Sequence, residues 1–507
     1  MRNQFYSLLI LLVPEVILSL AAMCALFVGF NPNLDKRCPC KNFSVMLSVI
    51  GSVFALGAIF FIQYILKIES NTLIELHGIQ VNASILGVKM GIIILTIFSL
   101  MLTREDPLYI NKAEYSCILL FSTVGLMLLV SSSNLLVAFI ALELAALSMY
   151  LMTSLKKDDP VAAEASLKYF MFGGMSSAFL LFGFSLIYGM TGSIKFSEIN
   201  ASLAAQPMDA LLVIAFVMII VGLGFKLTVA PFHLWAPDTY EGASLPSAAF
   251  IASVSKIACF FITGMIFLNA LAPTSMEWGI PAVIQKGDEI IKPLPGWKPI
   301  LAIVAVVSMI YGNLTALAQK SVRRLLAYSA VAHAGYILVG ITAIEALGLA
   351  PIIYYTLFYA LATIGAFGVT SIVLNNRGND NIESFVGLGQ KMPVVTLALI
   401  IFFLSLAGIP PLAGFFGKFY LFLGALKVSE ISFPLLYLVI IGFATSVISL
   451  YYYLKILKAA YNKTTEENID DLFVREPYFT TRLVLILGAV LILFGGCFPQ
   501  FFINLFL

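Results

Sequence analysis

Four lysines and one glutamate of this sequence lie in or beside long apolar runs, where an ionisable group is costly. Lys226 follows an apolar run that starts near Ala210, and Lys256 stands in Ser253-Val-Ser-Lys-Ile-Ala258. Lys418 closes Gly408-Ile-Pro-Pro-Leu-Ala-Gly-Phe-Phe-Gly-Lys418, and Lys168 lies in Glu164-Ala-Ser-Leu-Lys-Tyr-Phe170. Glu143, in Phe139-Ile-Ala-Leu-Glu-Leu-Ala-Ala146, has no other charge within a turn. On insertion scales each such group costs about 3 kcal/mol at the bilayer centre, so it must pair, neutralise or serve a path for ions. The chemistry these types allow is proton carriage. A lysine in a poorly hydrated channel has its basicity drawn toward neutrality, and a carboxylate about 7 Å away at an effective dielectric of ~20 restores roughly 2.4 kcal/mol. Closing or parting such a pair switches the lysine between holding and releasing a proton.

The backbone around two of these lysines is as unusual as the charge. Pro231 follows Lys226 by five residues, and Pro410 and Pro411 precede Lys418. Proline removes a donor and clashes with the preceding turn, so each helix must break beside its lysine. Backbone freed at membrane depth is tolerated only where protein or water receives it. The competing explanation, a lysine snorkelling to the interface, serves Lys168 and Lys89 as well as a functional one does, because both lie nearer a span end. His333, in Tyr328-Ser-Ala-Val-Ala-His-Ala-Gly-Tyr336, is either a satisfied core histidine or a proton relay.

The elements that must position these groups follow from composition. The chain has 507 residues, 61% of them hydrophobic and only 11% charged, which excludes a soluble globule and implies an all-α polytopic membrane protein. About fourteen apolar segments of membrane length are expected, near 4–30, 43–66, 82–102, 115–131, 133–155, 162–190, 209–234, 243–270, 300–319, 325–345, 350–375, 393–426 (broken), 434–459 and 480–506. The split between the fourth and fifth rests on Ser131-Ser-Ser-Asn134 alone. The first segment is too long for a cleaved signal. About fifteen Lys and Arg fall in odd-numbered loops against about seven elsewhere, which puts the odd loops in the cytoplasm and both termini outside. The formal net charge of +2 gives no argument for nucleic acid, and Cys38-Pro-Cys40 reads as loop. The longest loop, about 271–299, carries Trp278 and Trp297 and suits an interfacial cap. The two broken spans, seven and twelve, are five apart, which predicts two five-helix repeats, spans four to eight and nine to thirteen; an odd number per repeat makes the second inverted. The expected division is 1–112, 113–272, 273–299, 300–460 and 461–507. No nucleotide-binding loop, cluster-binding cysteine set or haem ligand pair is visible.

Four segments, 222–246, 164–170, 320–336 and 410–418, resemble the proton-translocating antiporter-like subunits of NADH:quinone oxidoreductase, respiratory complex I. Phe225-Lys-Leu-Thr-Val-Ala-Pro-Phe-His-Leu-Trp-Ala-Pro-Asp-Thr-Tyr-Glu-Gly242 is similar to the subunit N pattern within that family, the counterpart of mitochondrial subunit 2. Lys418, where subunit M tends to have Glu, and an end directly after the last span, where subunit L carries a long lateral helix, point the same way. The resemblance implies that Glu143 pairs with Lys226, that Lys168 modulates that pair, that Lys256 links two half-channels with His333 on the path, and that Lys418 serves the outlet. It implies no cofactor on this chain, with NADH, FMN, Fe–S clusters and quinone in other subunits. It implies as partners an M-like neighbour and small K-, J-, A- and H-like subunits in a bacterial inner membrane. The chain departs from the pattern at Gly242-Ala-Ser-Leu-Pro246, which leaves the local turn open. The alternatives are an Mrp-type cation/proton antiporter subunit, and a scaffold whose buried charges only hold helices together.

Overall fold

A long apolar segment folds as a helix in a bilayer because a helix satisfies every backbone group internally. The computed structural model describes residues 9–30, 43–65, 73–104, 112–156, 158–205, 208–275, 284–286, 289–291, 296–429, 435–462 and 475–506. Cys38, Cys40 and Trp278 lie outside them. Among the described residues thirteen helices are long and apolar enough to cross a membrane: Val13–Phe30, Phe43–Ile65, Ala83–Leu102, Lys112–Val130, Leu135–Thr153, Pro160–Thr191, Ala210–Leu227, Leu245–Ala270, Trp297–Leu317, Val322–Thr342, Ala350–Arg377, Leu436–Tyr461 and Phe479–Cys497. The pair Pro393–Ala407 and Ala413–Ser429 forms one interrupted crossing before the last two, so the helices fall in chain order as spans one to fourteen.

The split at Ser131–Asn134 is real and has a physical cause. Asn134 caps span five, its side chain accepting from the Val137 amide at 2.7 Å. The serines before it pair with a hairpin, Ile74–Leu76 with Ile79–Val81, through Gln80 N to Ser131 O at 2.7 Å and Ser133 N to Gly78 O at 2.9 Å. The turn at Gly242–Pro246 resolves as an ordinary helix start: Ser244 caps span eight and Pro246 stands in its first turn. The last span differs from expectation. It ends at Cys497, and Pro499 opens a separate short helix, Pro499–Phe506, because the residue before a proline is driven out of helical conformation. Trp297 differs too. It is fully buried, donating to the Leu271 carbonyl at 3.0 Å and packing on Phe267, so it ties the start of span nine to the end of span eight and does not lie along the interface.

Spans eight, ten and eleven are buried almost along their whole length, whereas spans one, two, six and thirteen are mostly exposed on the surface of the chain. The charged centres at Lys256 and His333 therefore sit on the innermost helices. Both expected breaks occur. Span seven stops at Leu227, Thr228 takes the left-handed conformation (φ 63°), and a second half runs Trp235–Gly242. Span twelve stops at Ala407, Gly408 turns (φ 85°), and the second half begins at Ala413.

Lys89 does not snorkel. It is fully buried in span three, with its Nζ 2.6 Å from Glu15 Oε1 in the first turn of span one. This pair joins the N-terminal helices outside the two expected repeats.

Candidate functional site

The break in span seven gathers three of the expected residues. Lys226 stands one residue before the first half ends, with its Nζ 3.6 Å from Glu143 Oε1 and donating to the Tyr150 hydroxyl at 3.0 Å. Ser177 of span six donates to the same carboxylate oxygen. The Lys226 side chain is 4% exposed, that of Glu143 24%, so the carboxylate opens toward the outer face of span five while the ammonium faces inward. Lys256 of span eight donates to the Lys226 carbonyl at 2.8 Å and to the Thr228 hydroxyl. Thr228 is β-branched and would rarely adopt a positive φ; here that conformation aims its hydroxyl at Lys256.

Neighbouring elements receive part of the broken backbone. The Ala230 amide donates to Ser308 Oγ of span nine at 2.9 Å, and the Trp235 indole donates to the Phe225 carbonyl at 3.1 Å. The Lys256 ammonium lies 5.3 Å from the Trp235 ring centre, within cation–π reach. His233, inside the break and 3% exposed, has no hydrogen-bond partner on either ring nitrogen among the described residues and packs on Tyr311.

The second half of the site is built of phenols. His333 of span ten lies with Nδ1 2.6 Å from the Tyr355 hydroxyl of span eleven and Nε2 3.2 Å from the Tyr453 hydroxyl of span thirteen; Tyr453 in turn bonds to Ser329. Three helices converge on this one ring. Nearby, Asn313 of span nine donates to the Tyr336 hydroxyl at 3.1 Å and accepts from Tyr452 at 3.1 Å. Lys418, in the second half of span twelve, donates to the Ala407 carbonyl at 3.1 Å, with its Nζ 4.7 Å from the Tyr336 ring centre. The space for this turn depends on glycine: a Cβ on Gly414 would lie 1.8 Å from the Ser405 carbonyl oxygen. Among the described residues no direct hydrogen bond joins Lys256 to His333 or His333 to Lys418.

Lys168 stands apart from the Glu143–Lys226 pair. Its ammonium meets Asp238 and Glu164, in a charged cluster where Arg324 also reaches Asp238 and Glu241, and Arg323 reaches Asp380. Tyr355, Tyr452, Tyr453 and the acidic partners in this cluster escaped sequence reasoning. Most of their partners lie 57 to 139 residues away in the chain, and no local spacing reports such contacts. His233 was in view inside the motif, and its burial beside a broken helix was the available signal.

The family described as NADH:quinone oxidoreductase/Mrp antiporter, TM, matches residues 132–286 and 271–449. The chain is 41% identical over 504 residues to NADH-quinone oxidoreductase subunit N 2 of Acidobacterium capsulatum, covering 98% of both. Its fold is similar to a chain of respiratory complex I from Thermus thermophilus with bound aureothin, at 28% identity and TM-score 0.74, over 97% of this chain and 98% of that one. It is also similar in fold alone to a chain of the Mrp complex from Dietzia, at 18% identity and TM-score 0.74, over 99% and 95%. Near-full-length identity above 40% and the matched transmembrane family agree with the broken helices and their lysines, and the chain belongs to the antiporter-like membrane subunits of NADH-quinone oxidoreductase, in the subunit N branch.

Proposed function

We propose that this chain translocates protons across the membrane as a membrane-arm subunit of an NADH-quinone oxidoreductase, driven by electron transfer in its partners. The observation that carries the reading is that the break in span seven brings Lys256 to the Glu143–Lys226 pair, with Lys256 donating to the Lys226 main-chain carbonyl. In this reading Glu143 and Lys226 form the switch. Lys256 receives the proton at the centre, His333 with Tyr355 and Tyr453 passes it outward, and Lys418 delivers it to the outlet half. A proton leaves Lys256 as an ordinary acid–base transfer, and His333 can pass one on by accepting at one ring nitrogen and donating from the other. Spans four to eight and nine to thirteen serve as the two half-channels, with odd loops cytoplasmic and both termini outside. NADH, flavin, Fe–S clusters and quinone belong to partner subunits.

The test is Lys256→Met in the assembled complex. Methionine keeps the volume and removes a buried charge worth about 3 kcal/mol of insertion cost, so assembly should survive. Proton translocation in sealed vesicles should collapse. Wild-type protons per electron in that variant would make Lys256 a structural charge and the relay wrong.

A further inference from the structure

The second half of span seven, Trp235–Gly242, is eight residues long, too short to hold its own shape without outside contacts. It is gripped from two sides. Lys168 of span six places its Nζ 2.7 Å from Asp238 Oδ2, and Arg324 of span ten places Nη1 3.0 Å from Asp238 Oδ1 and 2.7 Å from Glu241 Oε2. Arg323 donates to the Glu241 carbonyl and binds Asp380, whose strand-like pairing with Lys320–Val322 anchors that arginine. Inside this ring of charges, Tyr169 stacks on Trp235 with centroids 4.3 Å apart and planes at 11°. Tyr169 is the residue after Lys168, and Trp235 is one turn before Asp238. The two contacts thus fasten the same two helices, one wet and one dry. Trp235 is also the ring against which the Lys256 ammonium sits.

We propose that Lys168 is a positioning residue that acts through Asp238: its ion pair docks the second half of span seven on span six and keeps Trp235 against Lys256. This rests on the relay reading above, in which Lys256 carries protons. It departs from a direct action of Lys168 on the Glu143–Lys226 pair. The residue of span six that touches Glu143 is Ser177, nine positions beyond Lys168, which is two and a half turns, roughly 13 Å along the axis and on the opposite face. Lys168 therefore shares its helix with the switch but not its contacts.

The experiment is a pair of double-mutant cycles in the full complex, reconstituted in vesicles, with protons moved per electron from NADH as the readout. Lys168→Gln and Asp238→Asn should each lower that ratio by up to roughly fivefold, the reach of a half-exposed ion pair. The double variant should be no worse than the worse single, and Lys168→Arg should keep most of the ratio. A merely structural role would lower the amount of assembled complex and leave the ratio unchanged. Where Asp238→Asn fails to assemble, Asp238→Glu replaces it in the cycle. Multiplying losses for Lys168→Gln with Asp238→Asn, or non-additivity of Lys168→Gln with Glu143→Gln instead, would overturn the proposal. Lys256→Met separates the two readings: if it pumps fully, the relay itself fails; if it is dead while the Lys168 and Asp238 losses multiply, only the docking role fails.

Discussion

Neutralising both members of the Glu143–Lys226 pair should harm less than the two single losses combined. The separation of 3.6 Å corresponds to a Coulomb attraction of about 4.6 kcal/mol at an effective dielectric of ~20. Glu143 keeps some exposure and a hydrogen bond from Ser177, so the net coupling should be smaller, about 2 kcal/mol or more. Glu143→Gln leaves the Lys226 ammonium buried with the Tyr150 hydroxyl as its remaining side-chain partner, and Lys226→Met leaves the carboxylate without its cation. The double variant leaves neither. In vesicles energised with NADH, followed by a pH-sensitive dye, the summed losses of the two singles should exceed that of the double by about 2 kcal/mol, or roughly thirtyfold in rate. Quantities of assembled complex, measured alongside, should show the same ordering. Losses that add to within about 0.5 kcal/mol would refute a shared switch, and the two charges would then act on separate steps.

The Glu15–Lys89 pair should behave as a buried ion pair. Lys89→Met alone should destabilise by about 3–5 kcal/mol, while Glu15→Leu with Lys89→Met should be near neutral in thermal unfolding of the complex; an equally damaging double would show that the charges do more than balance each other. Asp380 gives a pH dependence. Burial raises its carboxyl, but Arg323 and Ser321 pull it below the usual range, so its contribution is present above the unfolded value of about 4 and is lost as pH falls through the lower folded value. Hydrogen exchange of residues 320–326 should accelerate below about pH 4 in the wild-type chain, and Asp380→Asn should be fast at all pH; identical profiles would dismiss the Arg323–Asp380 contact as an anchor.

How much was legible depended on whether a residue looked wrong where it stood. Lys226, Lys256, Lys418 and Glu143 announce themselves because a charge in an apolar run violates the bilayer's cost, and Pro231 and Pro410 because they forbid the helix the run demands. Glu15 passed unnoticed because an acid in a helix's first turn is ordinary, and only its depth against span three makes it costly. Tyr355 and Tyr453 carry no local signal; only the fold turns their hydroxyls toward His333, as it turns Tyr336 toward Asn313. For Lys168 the sequence offered a type and a neighbourhood but not a partner. Asp238 lies 70 positions away and meets it because span seven, past its break, runs on alongside the start of span six.

The two breaks supply something no side chain of this protein could. A helix that stops at membrane depth presents its carbonyl end there, and aligned peptide dipoles give that end about half a negative charge. Lys256 donates to the Lys226 carbonyl at one such end, and Lys418 donates to the Ala407 carbonyl at the other. Each ammonium is thus held by a partial negative charge of the main chain, which takes no proton at ordinary pH and cannot be paired elsewhere. A carboxylate in the same place would take the proton itself and become a trap. On the proposed relay, the main chain would steady the cation as it arrives and have no affinity for the proton once it departs, so the interrupted helix would act as a counterion that never competes for the cargo.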